Sequence, residues 1–388
     1  MGHIKGHEKQ GANCKVWYVN GGAGYGGDTP ADNTTSNRGE APDNAWDTIQ
    51  FAFDKIADGT VNDGDEIRIM ATGNYTIGTT LNPDWDTKEV TITGANSSGG
   101  VDGTQAVLIG NVGGSATMLD MEATECERMV WAHLHFDAND NSQSCVKSAT
   151  SNLYQHWINC RFSQATTNGV EWVGANHWDF INCRFDNNGE NGLEMDSTSF
   201  GVAYKCLFDN NAAMGVETAS LNAFRHKWIE CVFYNNGTEG MDWVGAGGFV
   251  ANCVFDSNGG AGLKDRANSV QSLRIGNIYS NNAHAGVNYI TATDSVAFNE
   301  LFYNNRNDTE DNSGGSDAIS EFGHMMNYVP GASAENPNYT DAANFDFTPK
   351  ESFGAMGANI PLPYKWFGFT ADDIGLNKWV NRESKSIF

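Results

Sequence analysis

The alternation of apolar and polar positions repeats along the chain with a fixed long period. A Cys-x-aromatic unit recurs at Cys160/Phe162, Cys183/Phe185, Cys206/Phe208, Cys231/Phe233 and Cys253/Phe255. Two later copies, Asn277/Tyr279 and Glu300/Phe302, keep the aromatic and replace the cysteine. Successive anchors lie 23, 23, 25, 22, 24 and 23 residues apart. A repeat of this length marks a solenoid. Around each anchor the apolar positions alternate, with Ile158, Cys160 and Phe162 assigned to one face and Ile181, Cys183 and Phe185 likewise. Period two predicts strands, and amphipathic helical patterning is missing from this region. The expected fold is therefore all-β, a single-stranded parallel β-helix with about 23 residues per coil over residues 65–310.

Coils stacked about 4.8 Å apart would turn each recurrent position into a column. Asn188, Asn211, Asn236, Asn258, Asn282 and Asn305 form one, five places after their anchors. Stacked amides can hydrogen-bond along such a column while the chain turns. Gly169, Gly192, Gly215, Gly240, Gly262 and Gly286 form another, read as permitting turn conformations closed to other residues. The anchor cysteines would point inward as free thiols, since parallel side-chain vectors suit a disulfide poorly. Free thiols suit folding in a reducing compartment.

Outside the repeats the pattern changes. Residues 1–15 read as a flexible arm, and 16–64 as a strand, a polar loop and a capping helix. In "DNAWDTIQFAFDKIADG", Trp46, Ile49, Phe53 and Ile56 share a helical face, Asp43 or Asn44 is the expected N-cap, and Gly59 ends the helix. Such a helix would cover the open first coil. Residues 311–388 lose the period and gain Pro, Trp, Phe and Tyr, as in "IPLPYKWFGF". They read as an irregular C-terminal cap or attachment segment.

Composition narrows the partners. Lys plus Arg is 23 against 48 Asp plus Glu, a formal charge of −25. That surface repels nucleic acid and anionic membranes, although calcium could bridge it to acidic glycans. No apolar run is long enough to span a bilayer. The start, "MGHIKGHEKQGANCK", has no apolar core of a secretion signal, so no export by that route is expected.

The N-terminal element "VWYVNGG…AWDTIQFAFDKIADGTVNDGDEIRIMATGNYTI" and the segment "ENPNYTDAANFDFTP" resemble the pectate-lyase-like right-handed parallel β-helix superfamily, over roughly residues 15–360. Right-handedness is implied by this resemblance alone. The superfamily holds pectate and alginate lyases, polygalacturonases, epimerases, phage tail spikes and other virion surface proteins. Fold likeness does not choose among them. The ordered polygalacturonase signature NTD, DD, GHG, RIK is not present as a set.

The sharpest chemistry is a column two places after the glycines: Glu171, Glu194, Glu217 and Asp242, followed by Lys264 and Asn288. Alternation places these side chains outside. Neighbouring carboxylates suit a glycosidase pair and would raise one another's pKa. A lyase reading adds Lys264 or Arg266 as base beside Asp242, and a third reading has the acids bind calcium. The pattern favours a solvated acidic ladder, because repeats force like residues into columns without catalytic need. A second column, Asp186, Asp209 and Asp256, reads as turn capping. His133 and His135 are assigned to one strand face without a third metal ligand, and a structural role is preferred for them. Gly22, Gly24 and Gly27 fit G-x-G-x-x-G with no helix following. Trp157 and Trp228, three places before their anchors, are expected to face outward, toward a sugar or another copy.

Two functions follow as expectations. One is a structural or adhesive protein of a phage particle: a capsid decoration, head fibre or tail spike, located on the virion surface. It would be a homotrimer that docks on other virion proteins through its N- or C-terminal segment, binds surface glycans, and requires no cofactor. The other is a secreted polysaccharide lyase or glycoside hydrolase acting on an acidic polysaccharide.

Overall fold

The computed structural model describes residues 14–21, 39–83, 88–121, 128–148, 153–174, 176–219, 225–244, 247–266, 273–290, 296–298 and 300–311, with short strands at 325–326, 339–341 and 346–349. Three parallel sheets run the length of the molecule, with 12, 10 and 9 strands. Each coil contributes one strand to each sheet. Asn176–Ile181 lies in sheet 1, Arg184–Asp186 in sheet 2 and Leu193–Asp196 in sheet 3. The next coil repeats them at Val202–Tyr204, Leu207–Asp209 and Val216–Thr218.

The register follows the repeat. Phe136, Phe162, Phe185, Phe208, Phe233, Phe255, Tyr279 and Phe302 are paired coil to coil in sheet 2. Their rings stack at 5.6, 5.0, 4.6, 5.0, 4.6, 5.0 and 5.0 Å between centroids. Beyond the apolar burial they share, each stacked pair adds about 0.5–1.5 kcal/mol. The asparagine column forms a continuous ladder. Each Nδ2 donates to the Oδ1 of the next asparagine, at 2.8 Å from Asn188 and 3.0 Å from Asn211 and Asn236. It continues at 2.9 Å from Asn258 and 2.8 Å from Asn282. Each Nδ2 also donates to the carbonyl of a stacked aromatic residue in the preceding coil, as Asn236 does to Phe208 at 3.0 Å and Asn305 to Tyr279 at 2.9 Å. The five anchor cysteines are thiols in no disulfide, and all five are buried. Each anchor Sγ reaches a backbone oxygen of the preceding coil, Cys183 that of Trp157 at 3.3 Å and Cys206 that of Phe180 at 3.2 Å.

Three expectations are corrected here. Trp157 and Trp228 are both 0% exposed and lie in the core, whereas Ile158 and Ile181 sit on the outer side of sheet 1. The reason is the corner between sheets 1 and 2, where Asn159, Asn182, Lys205, Glu230 and Asn252 take φ from 53° to 55°. A left-handed residue turns the chain in a single step, so the alternation of the strand does not carry across it. Trp157 and Cys160 both point inward, three residues apart. The repeated glycines have another purpose than the expected one. A Cβ on Gly192 would lie 2.7 Å from the Gly215 carbonyl oxygen, and one on Gly215 2.5 Å from that of Gly240. These positions are glycine because the next coil's backbone passes too close for any side chain. Last, the helix spans Ile49–Ala57 with Thr48 as its N-cap, its hydroxyl accepting from the Phe51 N–H at 3.1 Å. Gly59, at φ 85°, follows its end as expected. Ile49, Phe53 and Ile56 are buried, and the Phe53 ring meets Trp131 edge-on at 6.1 Å, so the helix plugs the N-terminal end of the interior.

Toward the other end the interior turns polar. Arg274 succeeds Val250 in sheet 1 and Asp265 succeeds Trp243 in sheet 3; both are buried, and the guanidinium donates to the carboxylate at 2.8 Å. Asn277 and Glu300 continue the cysteine column, Asn277 donating to Glu300 at 2.9 Å. Burial pushes the Glu300 carboxyl up to about 7, against the pull of Arg274. The flexible arm, the glycine motif at 22–27 and nearly all of the C-terminal segment lie outside the described residues. Of that segment, Met325–Met326 extends sheet 1, and Tyr339–Asp341 pairs antiparallel with Asp346–Pro349.

Two stability tests follow. Asn236→Ala strands the Phe208 carbonyl and the Asn211 donors in a buried column, and should lower the free energy of unfolding by about 3 kcal/mol in denaturant titrations. Glu300 binds its proton more tightly folded than unfolded, so its contribution to stability falls as pH rises from about 4.5 to about 7. Glu300→Gln should therefore stabilise the protein by about 3 kcal/mol near pH 8 and hardly at all near pH 4.

Candidate functional site

The carboxylate column lies on the outer side of sheet 3. Lys147, Glu171, Glu194, Glu217, Asp242, Lys264 and Asn288 are paired coil to coil. Their inward neighbours, from Val146 to Val287, are buried and fix the strand faces. Glu171, Glu194 and Glu217 are half-buried, but Asp242 is fully buried in spite of its outward position. Cations cover it. Lys264 lies 3.1 Å from its Oδ2, and Arg266 donates to the same oxygen. Lys264 also stands 3.6 Å from Glu239. At the other end Lys147 lies 3.3 Å from Glu171. Between these ends the side-chain amides of Asn168 and Asn191 donate to Glu194 and Glu217, the latter at 2.8 Å. Burial, then the Glu217 and Glu171 carboxylates, raise the Glu194 pKa. The structure thus brings Lys264 and Arg266 to Asp242 as the lyase reading requires. It also gives every carboxylate of the column a partner within the chain.

The Asp186, Asp209 and Asp256 column does more than cap turns. All three are buried. Arg161 grips Asp186 with two bonds of 2.7 and 2.6 Å, and Arg184 grips Asp209 with two of 2.9 and 2.8 Å. Asp256 instead accepts from Ser257, Ser280 and Asn281. His133 and His135 do not share a face. His133 is a corner residue at φ 54° beside Asn159, and His135 bonds Ser163 at 2.8 Å. Burial and Arg161 hold His135 down to about 4. Among the described residues no three His, Cys, Asp or Glu side chains gather as a metal site.

The outer side of sheet 1 holds groups that the repeat did not single out. His156 and Asp179, on adjacent strands, lie 2.8 Å apart. Beside them runs an apolar row, Ile158, Ile181, Tyr204, Ile229, Ala251 and Ile275. At the corner leading into sheet 1, Tyr154, His177 and Phe200 stack at 4.6 and 5.0 Å, and the Arg225 guanidinium lies 5.5 Å over Phe200. Tyr154 and Phe200 are 41% and 42% exposed. These take the outward aromatic place that had been assigned to Trp157 and Trp228. Their 23-residue spacing was visible, but without a shared residue type it carried no signal.

Comparison with known proteins places the architecture. Residues 158–321 match the family described as the right handed beta helix region. ORF18 of Geobacillus virus E2 superposes with a TM-score of 0.56 and 16% identity, over 72% of this chain and 55% of that one. The chain folds as a right-handed parallel β-helix. Pectate lyase Pel9A superposes on the β-helix with a TM-score of 0.53 and 15% identity, over 85% of this chain and 84% of that one. The β-helix spans little more than half the length of the viral protein. No curated protein sequence matches it. No helix among its described residues is long and apolar enough to cross a membrane.

The raised Glu194 pKa means that its ionised form opposes folding, a penalty absent below the unfolded carboxyl range and present above it. Glu194→Gln keeps an acceptor for Asn168 and should raise the melting temperature near pH 8 while leaving it unchanged near pH 4, which calorimetric scans at both pH values will show.

Proposed function

We propose that the chain is a structural and adhesive protein on the surface of a phage particle, whether capsid decoration, head fibre or tail spike, with glycans as its external partners. The observation that carries this reading is the engagement of the outward carboxylate column by Lys147, Asn168, Asn191, Lys264 and Arg266. A glycosidase needs one carboxyl as acid and a second facing substrate or water. Here the carboxylates bind one another's neighbours. The likeness of fold to the viral ORF18 supports the same reading.

The protein works as a homotrimer. The outward row of Ile158, Ile181, Tyr204 and Ile229, with Val202 beside it and exposed Lys227 at its edge, gives an apolar strip suited to a contact between copies. The N- or C-terminal segment attaches it to other virion proteins; nucleic acid and membrane are not among its partners. It needs no cofactor, though Glu171, Glu194 and Glu217 offer the oxygen ligands that calcium prefers. A second reading, a secreted polysaccharide lyase or glycoside hydrolase, is favoured by Lys264 and Arg266 beside Asp242 and by the fold of Pel9A.

Native mass in solution, with and without calcium, tests the proposal. A trimer is expected, and Ile229→Asp should yield a folded monomer. Incubation with polygalacturonate and alginate should release no unsaturated product. Product formed by the wild-type protein and lost in Lys264→Ala would establish the lyase instead.

A further inference from the structure

The anchor column inside the solenoid uses a residue type that packing alone does not require. The Arg161–His135 pairing sets Cys160 level with Leu134 of the coil before it, and that leucine fills the same place with an alkyl group at 0% exposure. From there Cys160, Cys183, Cys206, Cys231 and Cys253 succeed one another through five coils. The Val254–Ile278 and Ile278–Leu301 pairings then set Asn277 and Glu300 next in line. The column therefore runs from an alkyl group through five thiols to an amide and a carboxyl. The thiols are at most 1% exposed, and none is in a disulfide.

Spacing along the column is that of the coils. Two residues further along each strand, the rings from Phe162 to Phe255 measure it at 5.0, 4.6, 5.0 and 4.6 Å. Neighbouring thiols hydrogen-bond one another, Cys183 with Cys160 and Cys206, and Cys231 with Cys206 and Cys253. Their contacts to backbone oxygens are long, from 3.2 Å at Cys206 to 3.6 Å at Cys160 and Cys253. A thiol is a weak donor, so little is lost when its proton leaves. An ion midway between two sulfurs, with metal–thiolate bonds of about 2.3 Å, holds them about 4.6 Å apart, which is one coil step.

We propose that successive cysteines of this column bind a soft monovalent cation of the Cu(I) type, each ion held in line between two sulfurs of adjacent coils. Thiolates select such ions. Zinc takes four donors in a tetrahedron, and a straight file of sulfurs offers two. Charge points the same way, because an uncompensated charge is costly in a dry interior. A monovalent ion that displaces one thiol proton leaves its pair neutral. One S–H bond breaks and that sulfur bonds the metal. The second thiol gives a lone pair and keeps its proton. The freed proton passes to the solvent buffer, and no electron is transferred. The sites come into being as coil stacks on coil, so the ion enters while the chain folds and then ties each coil to the next. This binding lies inside the solenoid and is independent of what the outer surface meets.

The test refolds the reduced full-length protein without oxygen in the presence of Cu(I), supplied as its acetonitrile complex. Loose metal is removed with bicinchoninate, and copper per chain is measured. Two double variants keep equal numbers of column thiols and differ in adjacency alone. Cys160→Ala/Cys253→Ala leaves Cys183, Cys206 and Cys231 in succession, whereas Cys183→Ala/Cys231→Ala leaves Cys160, Cys206 and Cys253 with no two adjacent. Cys14, Cys126 and Cys145 lie outside the column and are common to every chain compared. The first variant should hold about one copper more than the second, and the wild type about two more. X-ray absorption should show two sulfur neighbours, and loading should raise the melting temperature. Circular dichroism without metal reports that both variants fold; where alanine prevents folding, valine at the same positions carries the comparison, since Leu134 shows that the column accepts an alkyl group. Equal copper in the two variants overturns the proposal, as does copper with nitrogen or oxygen neighbours, or a melting temperature that loading lowers.

Discussion

The spacing between coils governs this molecule. Every backbone hydrogen bond of the three sheets runs to a neighbouring coil, so each coil must meet the next at one fixed distance on all sides. The asparagine ladder sets that distance at one turn, because each amide satisfies its own column and a carbonyl of the coil behind. The phenylalanine stack sets it in the core at 4.6 to 5.0 Å from Phe162 onward. The Gly192–Gly215–Gly240 line shows the tolerance, since a single methyl group at any of them would strike the adjacent backbone. Stability then accumulates as a sum over neighbouring coils.

What the sequence disclosed was whatever depends on that spacing. The anchors, the asparagines and the glycines recur because each needs its own kind above and below. What it concealed depends on the corners. Carrying period two through Asn159 put Trp157 outside and Ile158 inside, the reverse of the structure. A hint was present in the Asn-Cys pairs at 159–160, 182–183 and 252–253, since asparagine before a strand start marks a left-handed residue. The carboxylate column was placed correctly because it lies within one strand, with no corner between it and its glycine. Its partners Lys147, Asn168 and Asn191 were not legible, because they come from other coils and from the far side of the turn.

The same logic separates the acids by role. Asp186 and Asp209 are held by Arg161 and Arg184 from the preceding coil, whereas Asp256 in the same buried column is met by the hydroxyls of Ser257 and Ser280 and the amide of Asn281. Asp242 repeats the device on sheet 3, where Lys264 and Arg266 close over it. Glu171, Glu194 and Glu217 lack such full cover, and Glu194 shows the consequence in its raised pKa.

Because the inward columns already supply the fold, the outward columns are free to vary from coil to coil, and variation there carries information about use. The corner into sheet 1 passes from Arg128 through Tyr154, His177 and Phe200 to Arg225 and then to Gly247. Only the last of these relieves the backbone. The others hold bulk and charge at positions where the fold asks for neither, and three of them form a contiguous stack. The corner between sheets 1 and 2 accepts His133, Lys205 and Glu230 at the same φ as its asparagines, so the side chain at a left-handed corner is set by what it meets outside the backbone, here the neighbouring rings of the stack.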